Sequence, residues 1–327
     1  MQRMIKTNNG STWIEDVLEH YSKSLINFSE LEGGWSAKAF KVVTNDGIFF
    51  LKVYDKEKAS TQIWTAAIDT YIPIVVWLNN NTKLKNRIIC PILTNSAEYK
   101  YEDEKFICLL FPYIDGYTLG KKPMSSQQIK EIAEILAELH KYGAEIPIAT
   151  SSITEDFAVP YCKELKEILS SVSQSQSNET ETILRQFEGT LIINIDKAEK
   201  LSEQLSKEAL SFVLCHTDVH GWNLMQSDRL ILIDWEGMKL APPEADLFAF
   251  SGNLFWHNCS EEFMKIYQTV HTDFKINPEV LEFYQTRRRI EDICAFAQEL
   301  LYDKNIVDAE RKESLYHLQR ECEELAK

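Results

Sequence analysis

Long apolar runs are missing from this sequence. No stretch reaches the length of about 18 apolar residues that indicates a membrane-spanning helix, and the first residues lack the apolar block of a signal peptide. The seven cysteines form no Cys-x-x-Cys pair, and most have apolar neighbours, as reduced core thiols do. We therefore expect no membrane association and a cytoplasmic location.

Positive charge is also scarce, with 35 Lys and Arg against 50 Asp and Glu, a net charge of −15. This balance argues against a nucleic-acid partner, whose phosphates demand a basic face. It fits a cationic substrate drawn into an acidic cleft, although acidity can also serve solubility alone. The pattern Gly-x₄-Gly-Lys-Ser/Thr does not occur, which excludes a Walker-type phosphate site.

Oxygen-bearing side chains recur along residues 212–235. An apolar strand leads into a polar loop with Asp218 and, five residues later, Asn223; a second strand then delivers Asp234 eleven residues further on. Phosphoryl transfer needs a carboxylate beside the attacking hydroxyl and oxygen ligands for Mg²⁺. The spacing predicts that Asp218 accepts the substrate proton and that Asn223 and Asp234 hold the metal, in the order of the kinase catalytic set.

Two simpler interpretations of this loop exist. His216, Asp218 and His220 are residue types that bind zinc, but no further His or Cys pair accompanies them at ligand spacing, and Asn223 and Asp234 would have no role. An ordinary polar loop is the other alternative. We expect His216 itself to be structural, holding the loop through a side-chain hydrogen bond.

Three segments resemble the aminoglycoside phosphotransferase and choline kinase-like family, and most of all its spectinomycin phosphotransferase branch: VLCHTDVHGWNL, LIDWEGMKLAPPEADL and RRIEDICAFAQELL. The resemblance implies an α+β, two-lobed protein kinase-like fold that uses ATP and Mg²⁺. We expect residues 1–115 to form a nucleotide-binding lobe with about five antiparallel strands, and residues 116–327 a mainly helical catalytic lobe. Gly221-Trp222 stands where the family commonly has Pro-Gly.

Nucleotide-binding residues are expected in the first lobe. Gly33 and Gly34 lie in a turn before the second predicted strand and permit close approach of the backbone to a phosphate. Ser36 can donate a hydrogen bond to that phosphate. By the resemblance, Lys52 holds the α- and β-phosphates. It needs an acidic partner on the next helix, for which Asp69 is preferred over Glu57.

The resemblance also implies a hinge and a structural acid. Adenine would bind the backbone carbonyl of Pro112, whose missing N–H is no loss there, and the backbone N–H of Ile114. Asp246 would cap a helix and brace the catalytic loop. As substrate contacts we name Glu236, Trp235 and, on a later helix, Glu291 and Asp292, with Trp222 and Trp256 as further aromatic candidates.

Several element boundaries are predicted as well. Residues 87–93 are expected to form a strand, residues 60–80 a helix that Pro73 ends or kinks, and residues 179–207 a helix with breaks. Ser125 and Gln128 predict a capping box at the start of a helix reaching residue 142. Residues 170–177 are expected to form a surface loop.

The predicted function is ATP-dependent phosphorylation of a hydroxyl on a small aminoglycoside or aminocyclitol, an antibiotic-resistance type of activity. Choline, ethanolamine, homoserine or a sugar are alternative acceptors, since an aromatic cage would suit a quaternary ammonium. A catalytically inactive nucleotide-binding protein is the alternative of another class. We expect a monomer or a homodimer.

Overall fold

The computed structural model of the chain describes residues 11–31, 37–172, 178–251, 259–303 and 306–327. Gly34, Ser36 and Trp256 lie outside these ranges, as does most of the serine-rich segment, so the predictions made for them stay predictions. Within the described ranges, no helix combines the length and apolar character that a membrane span requires.

The described strands are mostly short. They are β1 Leu25–Leu31, β2 Lys38–Thr44, β3 Gly47–Asp55, β4 Tyr101–Glu102, β5 Phe106–Pro112, β6 Tyr117–Thr118, β7 Val213–Cys215, β8 Leu224–Gln226, β9 Leu230–Leu232 and β10 Lys239–Ala241.

The described helices lie mainly in the second half of the chain. They are α1 Ser11–Glu19, α2 Ala59–Thr65, α3 Ile68–Asn81, α4 Ser126–Leu139, α5 Pro160–Val172, α6 Glu179–Leu205, α7 Glu244–Leu247, α8 Ser260–Tyr267, α9 Pro278–Tyr302 and α10 Asp308–Leu325. Single 3₁₀ turns occur at Ser151–Ile153, Gly221–Asn223, Trp235–Gly237 and Phe248–Phe250.

Two compact units make up the chain, and each is assembled from separate segments. The first contains Met1–Thr154, Val213–Leu240 and Glu261–Thr272; the second contains Glu155–Phe212, Ala241–Ser260 and Asp273–Lys327. The α+β fold is confirmed. The division into lobes at residues 115 and 116 stays a prediction.

A five-stranded antiparallel sheet, in the order β1-β2-β3-β5-β4, dominates the first unit. Side chains alternate across a strand, so Phe49, Leu51 and Val53 of β3 share one face, which packs against a buried stripe on α1 that includes Ile14 and Leu18. Burial of each such side chain stabilises the fold by roughly 1.5–3 kcal/mol. The even-numbered residues of β3, among them the predicted phosphate-binding lysine, project from the opposite face.

The strand predicted at residues 87–93 is wrong, and the two-residue β4 takes its place as the fifth strand. Ile88 forms only an isolated bridge with Leu232, and the Ile92 N–H donates to the Leu110 carbonyl at 2.6 Å. The apolar composition of the segment therefore reflects burial beside β5, without the continuous pairing that defines a strand.

The start of helix α4 was predicted from its capping residues. The Ser125–Gln128 capping box is present in both directions, and α4 follows it. Pro73 lies inside α3 without ending it, because the buried face of that helix outweighs one lost hydrogen bond. The predicted breaks in α6 are wrong, since the helix is continuous from Glu179 to Leu205.

The second unit is mainly helical. Helices α5, α6, α9 and α10 bury a shared apolar core that includes Leu169, Leu191, Ile293 and Leu318. Asp246 lies inside α7, fully buried, and Pro243 precedes that helix, so the predicted N-cap is wrong. A bracing role for Asp246 stays a prediction.

Candidate active site

A polar loop between β7 and the 3₁₀ turn Gly221–Asn223 is anchored by a buried histidine. His216 Nε2 donates to the Ile233 carbonyl at 2.9 Å, and its Nδ1 accepts the Asp218 N–H at 3.3 Å. These two bonds fix a neutral tautomer with the proton on Nε2. The sequence predicted a structural hydrogen bond from this side chain, and the structure forms it.

Thr217 carries the backbone strain of the loop. Its φ is 68°, in the left-handed region that non-glycine residues seldom adopt, and its hydroxyl donates to the Gly237 carbonyl at 2.7 Å. The loop is thereby tied to the 3₁₀ turn Trp235–Gly237. That bond helps to hold Asp218, the next residue, in one orientation.

Asp218 and Asn223 are in direct contact. The Asn223 amide nitrogen donates to the Asp218 carbonyl at 2.9 Å and to Oδ2 of its carboxylate at 3.0 Å. His220 Nε2 lies 3.3 Å from the same Oδ2. Within the described residues the Asn223 amide oxygen accepts no hydrogen bond, which is the arrangement expected of an amide that offers its oxygen to a cation.

Asp234 is held close to Asn223 by the backbone. The Ile233 N–H donates to the Asn223 carbonyl at 3.0 Å, which extends the pairing of β8 with β9 by one step. Asp234 then adopts a left-handed conformation with φ 68°, which turns the chain sharply after the strand. The backbones of the two predicted metal ligands therefore lie side by side at one end of the β8–β9 hairpin, and an amide and a carboxylate oxygen suit Mg²⁺.

Lys52 closes the cluster from the five-stranded sheet. Its ammonium lies 2.7 Å from Asp234 Oδ1 and also donates to Glu236. Burial disfavours the charged amine, but the charges of Asp234 and Glu236 outweigh that effect and raise the pKa of Lys52. An ammonium from β3 is thus brought to the carboxylates that follow β9, 182 residues away in sequence.

The predicted pairing of Lys52 with Asp69 is wrong. The Asp69 carboxylate accepts from Lys100 at 2.8 Å, and its side chain is 76% exposed. Helix α3 presents Tyr71 toward the lysine instead: burial raises the pKa of this tyrosine, and the charges of Lys52 and Asp234 act on it in opposite directions. Asp69 is directed toward Lys100 and solvent, away from Lys52.

Glu236 and Trp235, both predicted to contact the substrate, have other partners. Glu236 is occupied by Lys52 and by the Tyr54 hydroxyl. Trp235 is only 4% exposed; its indole N–H donates to the Leu232 carbonyl at 3.2 Å, and its ring meets the His216 ring edge-on. Both expectations are corrected, because the side chains of Trp235 and Glu236 are almost fully buried, the latter only 6% exposed, and a soluble acceptor cannot reach them.

Glu291 and Asp292 lie on α9 in the second unit, and each pairs with an arginine one turn earlier. Glu291 accepts from Arg287 at 2.8 Å, and Asp292 lies 3.1 Å from Arg288. Burial raises the pKa of Asp292, against the opposing charge of its arginine. Local pairing of this kind neutralises both carboxylates, so the prediction that they attract a cationic substrate is not supported.

The predicted hinge follows β5. Pro112 ends that strand opposite Phe49, and the Tyr113 N–H donates to the Ile48 carbonyl at 3.2 Å. Ile114 is half-buried and Pro112 is exposed. Backbone contacts with adenine from Pro112 and Ile114 stay a prediction.

Glycine at position 221 has a steric cause. A Cβ there would lie 1.9 Å from the carbonyl oxygen of Gly120. The backbone N–H of Gly120 donates to the Gly221 carbonyl at 2.9 Å. The neighbouring Trp222 lays its ring over Gly120 and remains 58% exposed. The Gly-Trp sequence thus fits the loop tightly against the segment that follows β6.

Known proteins provide an independent comparison. The model of the phosphotransferase enzyme family matches residues 27–284. The chain belongs to this family. The prediction of a phosphotransferase that acts on an alcohol group is thereby confirmed.

Individual phosphotransferase relatives are distant in sequence. Protein StrN of Streptomyces griseus is 22% identical over 226 residues, which span 65% of this chain and 65% of StrN's own length. A crystal structure of a spectinomycin phosphotransferase with ADP and spectinomycin covers 99% of this chain and 98% of its own, at 20% identity and a TM-score of 0.78. Choline kinase LicA from Streptococcus pneumoniae covers 92% and 94%, at 18% identity and a TM-score of 0.57.

Sequence reasoning missed one side chain of this phosphotransferase site. Tyr54 stands two residues after Lys52 on β3 and reaches the same carboxylate. The spacing of two, which puts both side chains on one face of a strand, was the available signal. The Asp-x-Glu spacing of Asp234 and Glu236 was the corresponding signal for the partner of Lys52.

Proposed function

We propose that this phosphotransferase transfers the γ-phosphoryl group of ATP to a hydroxyl of an aminoglycoside or aminocyclitol. The observation that carries the proposal is the ion pair between Lys52 and Asp234 beside the Asp218–Asn223 contact. These contacts support a site that combines an ammonium for phosphates, two oxygen ligands and a carboxylate base, the set that phosphoryl transfer requires.

Asp218 is the proposed catalytic base. Its side chain is 35% exposed, so an acceptor hydroxyl can reach it, and the Asn223 amide orients its carboxylate. The acceptor oxygen bonds to the γ-phosphorus as the bond from that phosphorus to the β-phosphate oxygen breaks. The hydroxyl proton passes to Asp218, and ADP leaves with the electron pair.

Asn223 and Asp234 are the residues that would hold Mg²⁺. Their oxygens are the ligand types that this ion prefers, and the Ile233–Asn223 backbone bond keeps the two residues adjacent. When bound, the metal supplies positive charge that neutralises the phosphate oxygens. ATP and Mg²⁺ are the cofactors that go with kinases of this family, and solved relatives were crystallised with ADP or AMP.

Lys52 is proposed to bind the α- and β-phosphates. Glu236, which already pairs with it, replaces Asp69 as the acid that positions the ammonium. In protein kinases the corresponding glutamate comes from a helix. Here it stands two residues after a proposed metal ligand, on the same turn.

The acceptor class rests on two observations. The similarity in fold to a spectinomycin phosphotransferase is greater than that to a choline kinase, with TM-scores of 0.78 and 0.57. The chain also carries a net charge of −15, which favours the approach of a cation. A choline-type cage has less support, because one of its three candidate tryptophans, Trp235, is buried.

A coupled assay of ADP release tests the proposal. Purified protein with ATP and Mg²⁺ is offered spectinomycin, other aminoglycosides, choline and homoserine. We expect release that depends on an aminoglycoside or aminocyclitol and yields a phosphate ester by mass spectrometry. ADP release with choline or homoserine, and with no aminoglycoside or aminocyclitol, would assign the enzyme to that acceptor class instead. Nucleotide binding without transfer to any acceptor would favour the catalytically inactive alternative.

A further inference from the structure

Tyr54 is a fully buried tyrosine on the face of β3 that carries Lys52. Its exposed fraction is 0%, and its hydroxyl donates to Glu236 Oε1. Lys52 donates to the same oxygen atom. A buried phenolic hydroxyl needs a partner, and here the partner is the carboxylate that also binds the proposed phosphate-binding ammonium.

Geometry links the three groups further. Residues 52 and 54 point to the same side because they are two apart on a strand, and the Lys52 ammonium lies 5.5 Å from the centre of the Tyr54 ring. The Glu236 side chain is only 6% exposed, against 14% for Lys52. Water therefore has little access to Glu236, and the tyrosine hydroxyl, which shares its oxygen with Lys52, restricts its rotamer.

We propose that Tyr54 is a positioning residue of the phosphotransferase: its hydroxyl fixes Glu236, which in turn holds the Lys52 ammonium for phosphate binding. The inference rests on the proposed function of Lys52. Each charge-assisted donor to a carboxylate restricts its rotation, so the Tyr54 hydroxyl adds to the constraint that Lys52 imposes on Glu236. The role assigned to Tyr54 is thus indirect and runs through Glu236.

Tyr54→Phe removes only the hydroxyl, and Tyr21→Phe is its matched control. Tyr21 is 4% exposed and donates at 3.3 Å to the Cys108 carbonyl in the same sheet, on the α1 side. Loss of a charge-assisted hydrogen bond should lower kcat/KM for MgATP about tenfold in Tyr54→Phe. The KM for the acceptor should stay constant, and Tyr21→Phe should keep wild-type kinetics.

A second readout needs no activity. Acylation of Lys52 by an amine-reactive reagent, followed by peptide mass spectrometry on the free protein, reports how firmly the ammonium is held. Labelling should be several times faster in Tyr54→Phe and unchanged in Tyr21→Phe. Substitution of Tyr54 by 3-fluorotyrosine keeps a hydroxyl and makes it a stronger donor, so labelling there should be no faster than in the wild type.

The outcomes distinguish the positioning role of Tyr54 from the proposed phosphotransferase function. If Lys52 in Tyr54→Phe is labelled at the wild-type rate, the positioning role is overturned. Equal losses of kcat/KM in Tyr54→Phe and Tyr21→Phe would overturn it as well. If Tyr54→Phe does not fold, faster labelling of the 3-fluorotyrosine protein overturns it instead. Failure of the wild-type protein to phosphorylate any acceptor would refute the proposed function, while the labelling result would still decide the role of Tyr54.

Discussion

Acidic side chains that follow strand β9 behave differently from those on helices α3 and α9. Asp234 and Glu236 converge on Lys52, an ammonium from a distant strand. Asp69, Glu291 and Asp292 bind basic residues outside the proposed site. All five were predicted to be functional from sequence, so the difference lies in the backbone that carries them.

The reason is geometric. The turn after β9 places successive carboxylates at the end of a hairpin, where a left-handed residue at Asp234 redirects the chain. On α9, an arginine four residues away lies within reach of each carboxylate, and Arg287 and Arg288 occupy those positions. Asp69 on α3 binds Lys100, 31 residues further along the chain, instead. An acid at a strand end therefore has to find a partner far along the chain.

The largest effect should come from the loop that faces this turn. Asp218→Asn keeps the shape of the side chain and removes its basicity, so kcat should fall by about 10³-fold. The affinity for ADP, measured by calorimetry, should not change, because Asp218 serves the acceptor. Near-wild-type turnover in this variant would refute the assignment of the base.

Glu236→Gln against Asp69→Asn tests the comparison directly. Each substitution removes one carboxylate charge, but only Glu236 pairs with Lys52. We expect kcat/KM for MgATP to fall by about 10- to 100-fold in Glu236→Gln and to stay within about twofold in Asp69→Asn. A reversed order would restore the helix acid as the partner of Lys52.

Glu131 shows that a helix acid can reach beyond its own helix. This residue of α4 accepts the Leu230 N–H at 2.7 Å and binds Arg87 at 2.5 Å. Burial disfavours its charged form, but the hydrogen bonds from Leu230, Gln127 and Arg87 outweigh that effect and lower the pKa of Glu131. Its stabilising effect is therefore present above the ordinary glutamate pKa and is lost as pH falls through the lowered one.

Glu131→Gln should lower the melting temperature by a few degrees near neutral pH. The difference from the wild type should shrink as pH falls below the unfolded-state value of about 4.3, because the wild-type carboxylate then also becomes protonated. Calorimetric scans of both proteins across this range check the prediction. A constant difference at every pH would show that the charge of Glu131 contributes nothing.

The smallest effects should come from α9. Glu291→Gln and Asp292→Asn each remove an ion pair with an arginine four residues earlier on the helix. Such a pair stabilises a helix by about 0.3–0.5 kcal/mol. The KM values for ATP and for the acceptor should remain within about twofold of the wild type. A large rise in the KM for a cationic acceptor would show that Glu291 and Asp292 contact the substrate, as the sequence predicted.

Local chemistry was readable from sequence wherever the determinants were close along the chain. The Ser125–Gln128 capping box and the strands around the turn before Leu230 are examples. The Asp-x-Glu spacing marked Glu236 as a residue beside Asp234, but its pairing with Lys52 was missed, because the two lie 184 residues apart and the contact depends on the turn at Asp234. Burial misled the strand prediction at residues 87–93, since apolar composition alone does not distinguish a paired strand from a packed loop.

The most direct test of the active site is the binding of Mn²⁺ in the presence of ADP, followed by electron paramagnetic resonance. Mn²⁺ takes the same oxygen ligands as Mg²⁺ and reports occupancy without turnover. We predict one nucleotide-dependent site that is lost in Asp234→Asn, weakened in Asn223→Ala and unchanged in Asp69→Asn. Undiminished Mn²⁺ binding in Asp234→Asn would contradict the assignment of this cluster as a phosphoryl-transfer site.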